Sequence, residues 1–110
     1  MGKNKDFDVD GFAHRLLRLR IEAGLTQAEL GATAKIGASA VAHYEGGNRQ
    51  PMLQTAAALA DALGVSVDDL ARGTGVVRIP LPVLEAYESL TRRQRALVGD
   101  LIRGLAGGGR

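Results

Sequence analysis

Apolar residues recur at helical spacing along most of this chain, and small polar or glycine-containing breaks separate the runs. Phe12, Leu16 and Leu19 fall at intervals of four and three, which sets one apolar stripe on a first helix starting near Phe12. His14, Arg15 and Arg18 lie largely off that stripe, as surface positions. Gly24 suits a left-handed cap that ends the helix. Thr26 then serves as an N-cap, with Glu29 three residues on to complete a capping box, and Leu25 and Leu30 stand at staple positions. This second helix runs through residues 27–34. Gly31 inside it is a poor helix former, which close packing of a neighbouring helix would explain. Lys35-Ile36-Gly37 breaks the chain before a third helix over residues 38–45, where Val41 and Tyr44 face inward. A polar turn over residues 46–51 follows. Leu53, Ala56, Leu59, Ala60 and Leu63 mark a fourth helix from about Met52, stopped by Gly64. Ser66 and Asp69 cap a short fifth helix ending near Leu70.

Beyond this the pattern loosens. Residues 72–82 read as a linker, with an extended run at Val76 to Ile79 and punctuation at Pro80 and Pro82. Residues 83–106 read as a helical extension, and residues 1–11 and 107–110 as flexible ends. Thr91 and Gln94 repeat the capping-box spacing. The helix they open carries a stripe of Leu97, Val98, Leu101, Ile102 and Leu105, while Arg92, Arg93, Arg95, Asp100 and Arg103 cover the rest. That stripe must bury against its own domain or against a second chain. Dimerisation makes it a candidate interface.

The predicted class is therefore all-α, with five short helices over residues 12–71 and a C-terminal helical extension. Two Phe, two Tyr and no Trp leave a core of Leu, Val, Ile and Ala, assigned here to Phe12, Leu16, Leu19, Leu30, Val41, Tyr44, Leu53, Leu59 and Leu63. The absence of cysteine excludes disulfides and thiolate metal sites, and His14 and His43 have no metal-ligand spacing. No apolar run approaches a membrane span, and Gly2 to Asp6 lack the apolar stretch of a signal peptide, so a cytoplasmic protein with no membrane partner is expected. No cofactor motif and no nucleophile–base arrangement is present, which argues against an enzyme.

Charge sharpens the picture only through its placement. Residues 1–75 hold eight Lys/Arg against nine Asp/Glu, and residues 76–110 hold six against three, so nucleic-acid binding must rest on where cations sit. Two short helices joined by a tight turn, over 27–34 and 38–45, are arranged for the second to enter a major groove.

The motif Leu16…Leu19-Arg20, Gly24-Leu25-Thr26-Gln27-x-Glu29-Leu30, Ile36, Val41, Tyr44-Glu45-x-Gly47, Arg49-x-Pro51 and Leu59-Ala60…Leu63-Gly64-Val65-Ser66…Leu70 resembles the lambda-repressor/Cro-type helix-turn-helix domain. The resemblance implies double-stranded DNA as partner and, over residues 12–70, the five-helix fold of that family. It implies that Gln27, with Thr26, Asn48 and Arg49, contacts phosphates. Free N–H groups and the positive dipole end at residues 26–28 suit an anion on physical grounds too. It implies a structural salt bridge between Arg20 and Glu45.

Gly37, Ala38, Ser39, Ala42 and His43 match the base-reading face. This face is small: methyl groups for thymine methyls, one hydroxyl, one imidazole, and no long bidentate side chain. Gly37 replaces the usual Ser or Thr cap, and Lys35 replaces the usual glycine, so Lys35 is expected at positive φ. The function implied is a sequence-specific regulator, a homodimeric repressor reading a palindromic operator. The alternative is an antitoxin that binds a toxin partner and its own operator. The pre-capped helix over residues 90–105 favours the stand-alone regulator.

Overall fold

The computed structural model describes residues 9–72 and 81–106. Seven helices follow one another in these residues: α1 Val9–Glu22, α2 Gln27–Ala34, α3 Ala38–Glu45, α4 Leu53–Leu63, α5 Val67–Arg72, α6 Leu81–Tyr87 and α7 Arg92–Ala106. The first helix begins three residues before Phe12, inside the stretch expected to be an arm. The expected extended run at Val76 to Ile79 lies outside the described residues.

Local chemistry sets most of the boundaries. The Thr26 hydroxyl accepts from the Glu29 N–H at 3.1 Å while Glu29 accepts from the Thr26 N–H at 3.0 Å, the reciprocal capping box expected from the spacing. Thr91 and Gln94 repeat it at 3.0 and 3.1 Å. Ser66 accepts from the Asp69 N–H at 2.9 Å. Lys35 ends α2 in the left-handed region at φ 62° and ψ 39°, as expected where the family pattern carries glycine. Gly31 allows α2 and the α2–α3 turn to meet: a Cβ there would stand 2.4 Å from the Gly37 carbonyl carbon. No side chain larger than hydrogen fits without moving that turn.

The main core gathers Phe12 and Leu16 of α1, Leu30 and Ala34 of α2, Val41 and Tyr44 of α3, Leu59 and Ala60 of α4, and Leu70 of α5. Leu19 and Leu63 are half-buried and pack against its edge. Leu53 does not belong to it. At 75% exposure it is among the most exposed apolar residues. It is the first residue of α4, so its side chain projects past the end of the core and borders an open groove beside Pro51 and Val67. Arg15 is also not the surface residue expected. It is buried, and its guanidinium donates to the carbonyls of Leu70 at 2.9 Å and Ala71, closing the C-terminal end of α5.

A second, smaller cluster of Ile21, Tyr87 and Ile102 joins α1 to the extension, with Leu17, Leu84, Leu90 and Val98 packed around it. The expected α7 stripe therefore splits. Val98 and Ile102 dock in cis on α1 and do not form a dimer surface. Leu97, Leu101 and Leu105 face solvent at 64–65% exposure. At 100° per residue, positions 98 and 102 centre about 80° round the helix from 97, 101 and 105, so the first pair turns toward α1 while the second set turns outward.

Candidate nucleic-acid interface

The α2–turn–α3 unit is held from behind by charge. Arg20 lies on the inner side of α1 at 3% side-chain exposure and forks onto Glu45, the last residue of α3, with Nε–Oε2 at 2.6 Å and Nη2–Oε1 at 3.1 Å. Its remaining nitrogen donates to the Leu25 carbonyl at 2.9 Å and to Glu88 of α6 at 3.0 Å. The guanidinium also sits 5.8 Å from the Tyr87 ring centroid, within cation–π range. Burial works against the charged form, yet Glu45 and then Glu88 outweigh it and hold the Arg20 pKa above its ordinary value. The salt bridge that the resemblance implied is thus present, and it is structural.

Gln27 occupies the first turn of α2. Its side-chain amide donates to Glu45 Oε1 at 3.0 Å, which ties the start of α2 to the end of α3. Helix geometry leaves the Gln27 and Ala28 N–H groups without intrahelical acceptors, so they are the ones available to an anion. Thr26 spends a lone pair on the Glu29 N–H, which leaves its O–H as a donor. Asn48 and Arg49 are exposed in the turn after α3. Its backbone is set by the Asn48 N–H, which reaches the His43 carbonyl at 3.1 Å.

The two faces of α3 differ as the pattern requires. Val41 and Tyr44 are buried, whereas Gly37, Ala38, Ser39, Ala42 and His43 are all exposed. Gly37 stands at φ 90° with no side-chain cap. Gln27 lines one open groove with Ala42 of α3 and with Gly46, and Asn48 and Arg49 follow in the exposed turn beyond α3.

Sequence reasoning missed the contribution of the extension. Arg95 of α7 is buried and donates to the Gly24 carbonyl at 3.1 Å, to the Leu90 carbonyl at 2.8 Å, and to both oxygens of Glu29 at 2.9 and 2.8 Å. The Tyr87 hydroxyl donates to the Leu25 carbonyl at 3.0 Å. The Glu29 carboxyl is held below its ordinary pKa, first by the Thr26 N–H and then by Arg95, against the opposing effect of burial. Burial pushes the Tyr87 phenol up to about 12, against the nearby Arg20 and Arg95 charges. One signal could have exposed this: Arg95, Val98 and Ile102 share a helix face at i, i+3 and i+7, so Arg95 belongs with the docked side and not with the solvent-facing arginines.

Among the described residues no group of three or more His, Cys, Asp or Glu could hold a metal ion, and no helix is long and apolar enough to cross a membrane. A family model described as a helix-turn-helix domain matches residues 12–73. Among solved structures, the restriction-modification controller protein C.AhdI from Aeromonas hydrophila is 33% identical. It covers 57% of this chain and 96% of its own, with a TM-score of 0.56. The P22 c2 repressor, solved with a synthetic operator, is 27% identical over the same shares with a TM-score of 0.55. The clp gene regulator ClgR from Corynebacterium glutamicum covers 91% of this chain and 92% of its own with a TM-score of 0.53. At 23% identity that likeness speaks for the fold alone. No curated protein matches the chain significantly. The matched span is more than half of the chain and contains the whole α2–α3 unit, with its Arg20–Glu45 brace and exposed α3 face. The chain therefore belongs to the lambda-repressor/Cro-type helix-turn-helix family of DNA-binding domains.

Proposed function

We propose that this protein is a sequence-specific transcriptional regulator, a homodimeric repressor that places α3 in the major groove of a palindromic operator. The observation that carries this reading is the outer side of α3. It is exposed while its inner side is locked to α1 and α2 through Arg20, Glu45 and Gln27. A helix fixed on one side and open on the other can enter a groove without rearrangement. The Gln27 and Ala28 N–H groups, the Thr26 hydroxyl, Asn48 and Arg49 then meet the flanking backbone phosphates.

The small reading side, Gly37, Ala38, Ser39, Ala42 and His43, offers methyl contacts to thymine and few base-specific hydrogen bonds. Specificity on this reading comes as much from DNA shape and half-site spacing as from direct contacts. A second copy supplies the spacing, and the exposed Leu97, Leu101 and Leu105 of one helix offer it an apolar stripe. The docking of Val98 and Ile102 on α1 weighs against an antitoxin tail that wraps a toxin.

Selection of duplexes from a random pool at stated salt, with the solution mass of the free protein, tests this. The expected result is a dimer that enriches paired half-sites about one helical turn apart, about 34–36 Å. A monomer that enriches no duplex contradicts it.

A further inference from the structure

We propose that Arg95 is a positioning residue for DNA binding: from α7 it holds the N-terminus of α2 in the pose that receives a backbone phosphate. This inference rests on the docking reading above and assigns the C-terminal extension a part in it.

Three polar groups of the α1–α2 turn, the Gly24 and Leu25 carbonyls and the Thr26 N-cap amide, are taken by side chains. Arg95 takes the Gly24 carbonyl at 3.1 Å. Tyr87 takes the Leu25 carbonyl at 3.0 Å, shared with Arg20 at 2.9 Å. Glu29 takes the Thr26 N–H at 3.0 Å and is itself clamped by Arg95 on both oxygens. Arg95 and Tyr87 thus reach these three groups, directly or through Glu29.

Packing alone does not call for an arginine here. Position 95 continues the Val98–Ile102 side of α7, and a leucine would extend that apolar contact with no charge to desolvate. What arginine adds is a rigid fork that spans a carbonyl and a carboxylate at once. It also cancels charge where charge matters. Glu29 stands two residues from Gln27, so a phosphate seated on the Gln27 and Ala28 N–H groups lies within a Debye length of it, about 8 Å at physiological salt. Paired with Arg95, the carboxylate keeps its capping role without repelling that phosphate. Arg92 adds a weaker cation at 3.9 Å.

The test compares wild type, R95Q, Y87F, Q27P and the Q27P double variants for binding to a short random-sequence duplex at low salt. Phosphate contacts are read there without knowledge of the operator. Gln27 is the first residue of α2, where proline fits the helix and removes the N–H that receives the phosphate. Each protein is measured below its own melting transition. R95Q is expected to bind about threefold to fivefold more weakly, the size of one anion interaction at a helix N-terminus, and Y87F about twofold more weakly. In the Q27P background neither change costs further affinity, because the contact they position is already broken. A residue that only stabilises the fold lowers the melting temperature and leaves the affinity of the folded protein alone. R95Q and Y87F that bind like wild type, or that keep their full cost in the Q27P background, overturn the inference. If R95Q does not fold, the Y87F cycle decides. Wild type that fails to bind the duplex, or Q27P that binds like wild type, overturns the docking reading instead and is distinguished by those two proteins alone.

Discussion

Gly99 of α7 crosses the C-terminal turn of α1 so closely that a Cβ on it would stand 2.6 Å from the carbonyl oxygen of Ile21. The Glu22 carbonyl oxygen lies at the same distance. The extension is therefore seated on backbone, which cannot swing aside as a side chain can. In an open helix Gly→Ala stabilises by about 0.5–1 kcal/mol. Here the clash reverses the sign, and G99A is expected to lose about 1–3 kcal/mol by overpacking. Chemical denaturation checks this through a lower midpoint at unchanged slope. A stabilised G99A contradicts the close seating.

Arg20 and Glu45 are each almost wholly buried, and removing one strands the other. E45L leaves Arg20 with only the half-exposed Glu88 as a carboxylate partner, and a loss of about 3–5 kcal/mol is expected. The double variant R20M/E45L removes both charges and should lose less than the single change. A double change that costs the sum of the two singles contradicts the picture of one compensated pair.

Two titrations have opposite signs. Tyr87 has its folded pKa raised to about 12, against about 10 in an unfolded chain. Its contribution is complete below about 10 and is lost as pH rises through about 12. Glu29 has its folded pKa depressed. Its contribution is complete above the unfolded value of about 4.3 and is lost as pH falls through the lower folded value. Thermal melts across pH should therefore show Y87F with a flatter alkaline limb and E29Q with a flatter acid limb. The reverse assignment of limbs contradicts the burial of Tyr87 and the pairing of Glu29.

Leu101 lies midway along the exposed stripe on α7 and makes no part of either core cluster. L101E should leave monomer stability within about 0.5 kcal/mol of wild type, as for other surface changes, while halving the solution mass and weakening operator binding. A variant whose mass equals that of wild type places any dimer contact elsewhere.

The sequence made the helix boundaries legible where their chemistry is local. Thr26 with Glu29, Thr91 with Gln94, and Lys35 at positive φ each act within four residues, and each is found as expected. The Arg20–Glu45 brace was legible only through family resemblance, because nothing in a separation of 25 positions links the two. Leu53 fits the helical spacing of α4 and still misses the core, since periodicity gives a side of a helix but not where the neighbouring helices end. Arg95 failed for a related reason. Its charge suggested solvent, and only the fold reveals the two carbonyls and the carboxylate 66 positions away that make its burial sustainable. The extension's tie to the α1–α2 turn is a long-range match of polar groups, which no local pattern encodes.

The central claim is that the α2 terminus and the outer side of α3 form the surface that meets duplex DNA. Backbone amide shifts, followed by NMR while a short duplex is titrated into the labelled protein, test it most directly. The largest changes are predicted at residues 26–28, 37–43 and 48–49, with α5 and the exposed side of α7 unmoved. Changes centred on α5, or on the exposed leucines of α7, with residues 37–43 unmoved, would contradict it.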